Sequence, residues 1–248
     1  MNNDSKLPIS LKLKQINPLP DRIKMYFDIC FEKLGLIPNV LLAYSHNTNK
    51  LDTFTNMYNE IMLSDSGLSK LQREMIAVVV SSLNKCFYCQ VAHGASVREL
   101  SSNPELSEEL IMNYNIANIT EKDKMMLQFS EKLTLYSHKI EDDDRDVLRK
   151  AGFSDEDIWD IISVVGFFNM SNRIASGTKM IPNKEYHSAG RWLIIFPWNS
   201  IWFIVKPKTT ILFESFLGNW QIIHWLHSRF QSLFVNLTNI SCCVPCCK

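Results

Sequence analysis

The sequence predicts an all-α fold over residues 1–191, and three observations carry that prediction. Glycine is scarce, at eight of 248 residues, which disfavours a protein built on tight β-turns. Apolar residues recur at spacings of three and four through long stretches. Serine, threonine and aspartate stand where those stretches begin, several with a capping partner three residues on.

Asp21 is expected to cap the first helix, whose apolar face is Ile23, Tyr26, Phe27, Cys30, Phe31 and Leu34, with Gly35 and Pro38 closing it. Cys30 lies on that face and reads as a core cysteine, the usual setting of a free thiol. Residues 47–63 repeat the pattern with Leu51, Phe54, Tyr58, Ile61 and Met62. Ser69 and Gln72 form a capping box ahead of Leu71, Met75, Val78 and Val79. The run "IAVVVSSL" alone also fits a buried strand. The cap and the charged first turn favour a helix running to about Leu83.

Asn84 and Lys85 break the pattern, and a second helix is expected from about Cys86 to Leu100. Further helices are expected over 104–113, over 121–137 behind Thr120 and Asp123, and over 143–150 ending at Gly152. Ser154 caps the last long one. The run "EDDDRD" reads as a solvated helix start, where carboxylates meet the positive end of the dipole.

Composition narrows the function classes. The chain is 46% hydrophobic and 21% charged, ordinary for a globular protein. Its 26 basic and 26 acidic residues balance, so nothing marks an electrostatic binder of nucleic acid or of a membrane surface. The first 21 residues contain no apolar stretch long enough for a secretory signal. A cytoplasmic location is therefore expected. Seven cysteines in such a chain point to reactive or metal-binding thiols rather than to a disulfide framework.

Composition also shifts abruptly near residue 191. Four of the seven cysteines crowd into "SCCVPCCK", five of the six tryptophans follow Arg191, and Glu214 is the sole acidic residue beyond it. Residues 1–191 are therefore expected to form the domain. Residues 192–248 read as a non-homologous extension with no fold of its own. The stretch "WLIIFPWNSIWFIV" is apolar for only about 14 residues and is broken by Pro197 and Asn199, too short for a spanning helix.

The chemistry concentrates in "NKCFYCQVAHGAS", where Cys86 and Cys89 are three apart and His93 follows four later. A redox dithiol, part of a zinc site and a merely structural pair all fit. Two cysteines three apart at a helix start share a face and can join without backbone movement. Free backbone N–H groups there also favour thiolate. His93, one turn past Cys89, can take its proton directly or through one water. Such an imidazole usually has a third group to orient it. Glu74 is the candidate, because antiparallel packing around Asn84 and Lys85 brings residues about ten before and ten after that break together. The zinc reading needs a fourth ligand, and His46, His138 and His187 have no ligand-like partner nearby.

These residues carry a family resemblance. "REMIAVVVSSLNKCFYCQVAHGASV" resembles the active-site helix pair of the alkylhydroperoxidase AhpD-like, carboxymuconolactone decarboxylase superfamily. A glutamate, then C-x-x-C beginning twelve residues later, then a histidine four residues beyond the second cysteine is the shared pattern. Glu74, Cys86, Cys89 and His93 occupy all four positions. With "LSKLQRE" before it and "FNMSNRIASGTKMIPNKEYH" after, the chain is most similar to the peroxidase-related branch over roughly residues 10–191.

The resemblance implies an all-α fold, a homo-oligomer and thiol-dependent reduction of hydroperoxides. It makes Cys89 the peroxidatic nucleophile, Cys86 the resolving thiol, His93 the acceptor of the Cys89 proton and Glu74 the group polarising His93. It implies no bound cofactor and an external dithiol reductant of the lipoyl type. Cys86, nearer the helix start, is expected to be the more exposed thiol. Tyr88 departs from those members with a second histidine between the cysteines. Two alternatives stand beside this reading. One is a non-catalytic metal-binding or scaffold protein using Cys86, Cys89 and His93. The other is a decarboxylase-type lyase, although decarboxylase members generally lack the cysteine pair.

Overall fold

The computed structural model describes residues 7–191, 193–195, 203–206 and 209–212. Helices account for nearly all the regular structure up to residue 191, as the periodicity requires. They are α1 (Asp21–Leu34), α2 (Asn39–Tyr44), α3 (Thr48–Leu63), α4 (Lys70–Leu83), α5 (Phe87–Ser101), α6 (Leu106–Asn113), α7 (Glu121–Leu135), α8 (Asp142–Lys150) and α9 (Asp155–Gly177).

The helix starts follow local capping chemistry. Ser69 and Ser154 each accept from the amide three residues on, and the Gln72 and Asp157 side chains accept in return from the Ser69 and Ser154 amides. Asn47 and Thr120 cap α3 and α7 through one bond each. α1 differs from expectation. Pro20 is its N-cap and Asp21 lies inside the first turn, where a carboxylate still complements the dipole. Phe31, expected on the buried face, is exposed, while Ile23, Phe27 and Cys30 are buried. α6 begins at Leu106 rather than Pro104, and α7 stops at Leu135 before a 3-10 turn over Ser137–Lys139. α2 was not foreseen, because six residues are too few to show a helical period.

α4 is the central element. It packs against α3, α5, α6, α7 and α9, and every residue from Arg73 to Ser81 is buried. A helix enclosed on all sides needs no polar face, so its sequence loses the alternation that separates helix from buried strand. That is why "IAVVVSSL" was ambiguous.

Helix ends shape the site. Three helices finish in a Schellman motif, in which two amides beyond the helix bond back to carbonyls of its last turn. At α8 the left-handed residue is Gly152, the usual choice. At α4 and α9 it is a lysine, Lys85 and Lys179, each with φ 53°. The Cys86 amide bonds Ser81 O at 2.9 Å and the Met180 amide bonds Ala175 O at 2.8 Å. Cys86 and Met180 are therefore fixed at equivalent positions just past two helix ends, and both are buried in one apolar cluster.

Beyond α9, Arg98 of α5 ties the chain back, donating to Ala189 O (2.8 Å) and Tyr186 O (2.7 Å). Three short strands, β1 (Leu193–Ile195), β2 (Phe203–Lys206) and β3 (Thr209–Leu212), pair antiparallel in that order. The expectation that residues 192–248 lack a fold falls largely outside the described residues. Among the described residues, no helix is long and apolar enough to cross a membrane.

Candidate active site

The α4–α5 hairpin assembles the four residues singled out by spacing. Its two helices run antiparallel around the left-handed Lys85, so Gln90 reaches Ser81 O at 3.2 Å and, further from the turn, Glu74 meets His93. The His93 Nδ1 to Glu74 Oε2 distance is 2.7 Å, and both residues are buried. A carboxylate accepts there, which assigns the proton to Nδ1 and leaves the Nε2 lone pair for proton transfer. Phe168 packs edge-on against the imidazole, 4.6 Å between centroids, and Tyr58 lies 6.5 Å away. Aromatic walls keep water from the Glu74–His93 contact and so strengthen it.

Cys86 is the N-cap of α5 and Cys89 its third residue. The Cys89 thiol donates to the Cys86 sulfur, and the pair divides one proton unequally. Cys86 is pulled down to about 6, chiefly by that hydrogen bond and against the opposing cost of burial. The Cys89 amide, the Ser176 hydroxyl and, when protonated, His93 add to the pull. The amide does so without completing a capping hydrogen bond. Cys89 is pushed well up by its bond to Cys86, by burial and by the Cys86 charge, partly offset by Asn172 and Ser171. Cys86 is therefore the more acidic thiol of the pair.

Exposure departs from expectation. Cys86 is 1% exposed and Cys89 2%, so neither thiol is open to solvent. The hydroxyl partner of Cys86, Ser176, is itself exposed on α9.

Several contributors were not singled out from sequence. Asn172 of α9 donates to Ser81 Oγ (2.9 Å), accepts from Asn84 (3.0 Å) and supports Cys89. Ser171 and Ser176 face the two sulfurs from the same helix. Their signal was present in "MSNRIAS", small polar residues on the inward face of an otherwise apolar helix. Burial raises the hydroxyl of Tyr44 of α2, and a thiolate at nearby Cys89 adds to that rise. Tyr88 is a structural peg. Its hydroxyl accepts from the Val40 amide at 3.0 Å, which pins the start of α2 to α5. Among the described residues, no three metal-ligating side chains converge.

Comparison with known proteins locates this arrangement. The sequence profile of the carboxymuconolactone decarboxylase family matches residues 51–119, which include all four site residues. A crystal structure of an uncharacterized peroxidase-related protein from Silicibacter sp. TM1040 is 59% identical, with a TM-score of 0.74, over 75% of this chain and 97% of that one. The AhpD core of an uncharacterized peroxidase-related protein from Ralstonia eutropha JMP134 is 36% identical, with a TM-score of 0.72, over 75% and 98%. The debrominase Bmp8 shares the fold alone, at 16% identity over 68% of this chain and 90% of that one, with a TM-score of 0.58. No curated protein matches the chain.

Proposed function

Because this chain belongs to the carboxymuconolactone decarboxylase family, in its AhpD-like, peroxidase-related branch, we propose that it is a thiol-dependent peroxidase that reduces hydroperoxides through Cys86 and Cys89. One observation carries the reading: two hydrogen-bonded thiols of unequal acidity open a helix whose next turn holds a carboxylate-fixed imidazole. Membership alone is weaker support, since the same fold hosts a debrominase.

The cycle follows from the proton inventory. At rest Cys86 is thiolate and Cys89 is thiol. Moving that one proton along the S–H···S bond to Cys86 makes Cys89 the nucleophile without separating charge. His93, one turn along α5, is the other acceptor, held in the required tautomer by Glu74. The Cys89 sulfur attacks one peroxide oxygen, the O–O bond breaks, and the departing alkoxide takes the displaced proton. Cys89 is then a sulfenic acid. The Cys86 thiolate attacks it, forming the disulfide and releasing hydroxide, which a proton from bulk solvent converts to water. An external dithiol of the lipoyl type restores the pair by exchange. No bound cofactor is needed. Homo-oligomeric assembly belongs to the same reading and is supported by exposed apolar residues such as Met112 and Trp159.

The position of the resting thiolate favours a second order, with Cys86 attacking first. Trapping sulfenic acid after one equivalent of peroxide separates the two. In Cys86→Ser it should accumulate on Cys89 without turnover, and in Cys89→Ser none should be trapped. Sulfenic acid on Cys86 in the Cys89→Ser protein reverses the order. Its absence from both variants, with stoichiometric zinc in protein purified under reducing conditions, replaces the enzyme by a metal-binding protein.

A further inference from the structure

A reductant can reach the dithiol only if something moves, because neither sulfur is exposed. Exchange requires an incoming sulfur to line up with the bond it breaks. Helices α2, α5 and α9 form most of the enclosure. Met180 and Tyr186 add to it, and so do residues 7–10, which belong to no helix or strand. Ile9, 5% exposed, packs in one apolar cluster with Cys86, Cys89, Ala92, Ala175 and Met180. Two backbone hydrogen bonds fasten this strap to the end of α9 and the segment after it. Ser10 N–H donates to Thr178 O at 2.8 Å, and Ile181 N–H donates to Pro8 O at 3.1 Å. On its far side, Leu7 and Pro8 border a cleft of about 420 Å³ shared with Ile16, Pro18, Phe27 and Leu42. Outside any helix or strand, the strap is fastened here by two backbone hydrogen bonds rather than by a helical ladder.

We propose that residues 7–10 gate the dithiol and that Ile9 decides which thiols reach Cys86. Ser10 is bonded to Thr178, at the end of the helix whose Ser176 faces Cys86, so lifting the strap opens the Cys86 side of the pair. In the oxidised protein, a dithiol's thiolate then attacks the Cys86 sulfur. That step forms a mixed disulfide at Cys86 and releases Cys89 as thiolate. The second thiol of the reductant, deprotonated, attacks its own bound sulfur and expels Cys86 as thiolate. Two electrons pass to the pair, and the reductant leaves as a disulfide. The gate concerns access to sulfur and holds whether or not the oxidant is a peroxide.

Iodoacetamide alkylation of the reduced full-length protein, read by peptide mass at Cys86 and Cys30, tests the gate with no peroxide present. Ile9→Ala removes the buried plug. Ser10→Pro removes the amide that donates to Thr178 O. Each should raise the Cys86 rate about tenfold by favouring local opening, while Cys30, buried in the main core, stays at its original rate. An unchanged Cys86 rate in either variant, or a parallel rise at Cys30, would overturn the proposal.

Discussion

At the scale of single residues, the site is a set of protons held unequally. One thiol proton serves two sulfurs, and the surroundings lower Cys86 and raise Cys89. Cys86 is kept as thiolate by that hydrogen bond, then by the helix-start amide, Ser176 and His93, against the cost of burial. A thiol lowered to about 6 is ionised above that pH and protonated below it. The thiolate ultraviolet absorbance of the reduced protein should therefore fall as pH drops through about 6. Cys86→Ser should remove that step. A step that persists in Cys86→Ser would place the thiolate on Cys89. Glu74 works on a different proton, holding the one at Nδ1 of His93 so that Nε2 stays free.

At the scale of elements, the turn between α4 and α5 sets the register of the whole site. Its Schellman motif delivers Cys86 to the N-cap of α5 and places His93 opposite Glu74. The left-handed position in that motif is Lys85, with φ 53°. An unbranched side chain tolerates this conformation at some cost, and a β-branched one tolerates it poorly. Lys85→Val should lower unfolding free energy by about 1–2 kcal/mol. Urea titration would measure the change, and an unchanged midpoint would show that the turn bears no such strain. The same motif closes α9 at Lys179, so the two elements bordering Cys86 end by the same geometry.

At the scale of the molecule, one helix organises the rest. α4 is enclosed by its neighbours, and the hairpin it forms with α5 carries the site. Three quarters of the chain covers 97% and 98% of the two peroxidase-related relatives, so those folded chains have no counterpart to the remainder. Arg191 still belongs to the helical part, through its ion pair with Glu108. A chain ending at Arg191 should be as soluble and as active as the full chain. A large loss of either on truncation would show that residues 192–248 support the fold.

The sequence by itself determined most of the helices and marked out Glu74, Cys86, Cys89 and His93. Capping boxes at Ser69 and Ser154 and the stop at Gly35 act within a few residues, so short stretches of chain contain the whole cause. The pairing of Glu74 with His93 was legible for the same reason, because a tight hairpin turns spacing into proximity. Tertiary structure alone decided which sulfur keeps the proton, what covers it and what Tyr88 does. Those outcomes depend on Ser176 and Asn172 from α9, Val40 and Tyr44 from around α2, and Ile9 from the strap. Burial and charge are summed over everything packed around an atom, and here those neighbours come from three distant stretches of the chain. No local pattern near Cys86 could encode that sum, and so the thiol expected to be the more exposed lies closed beneath residue 9.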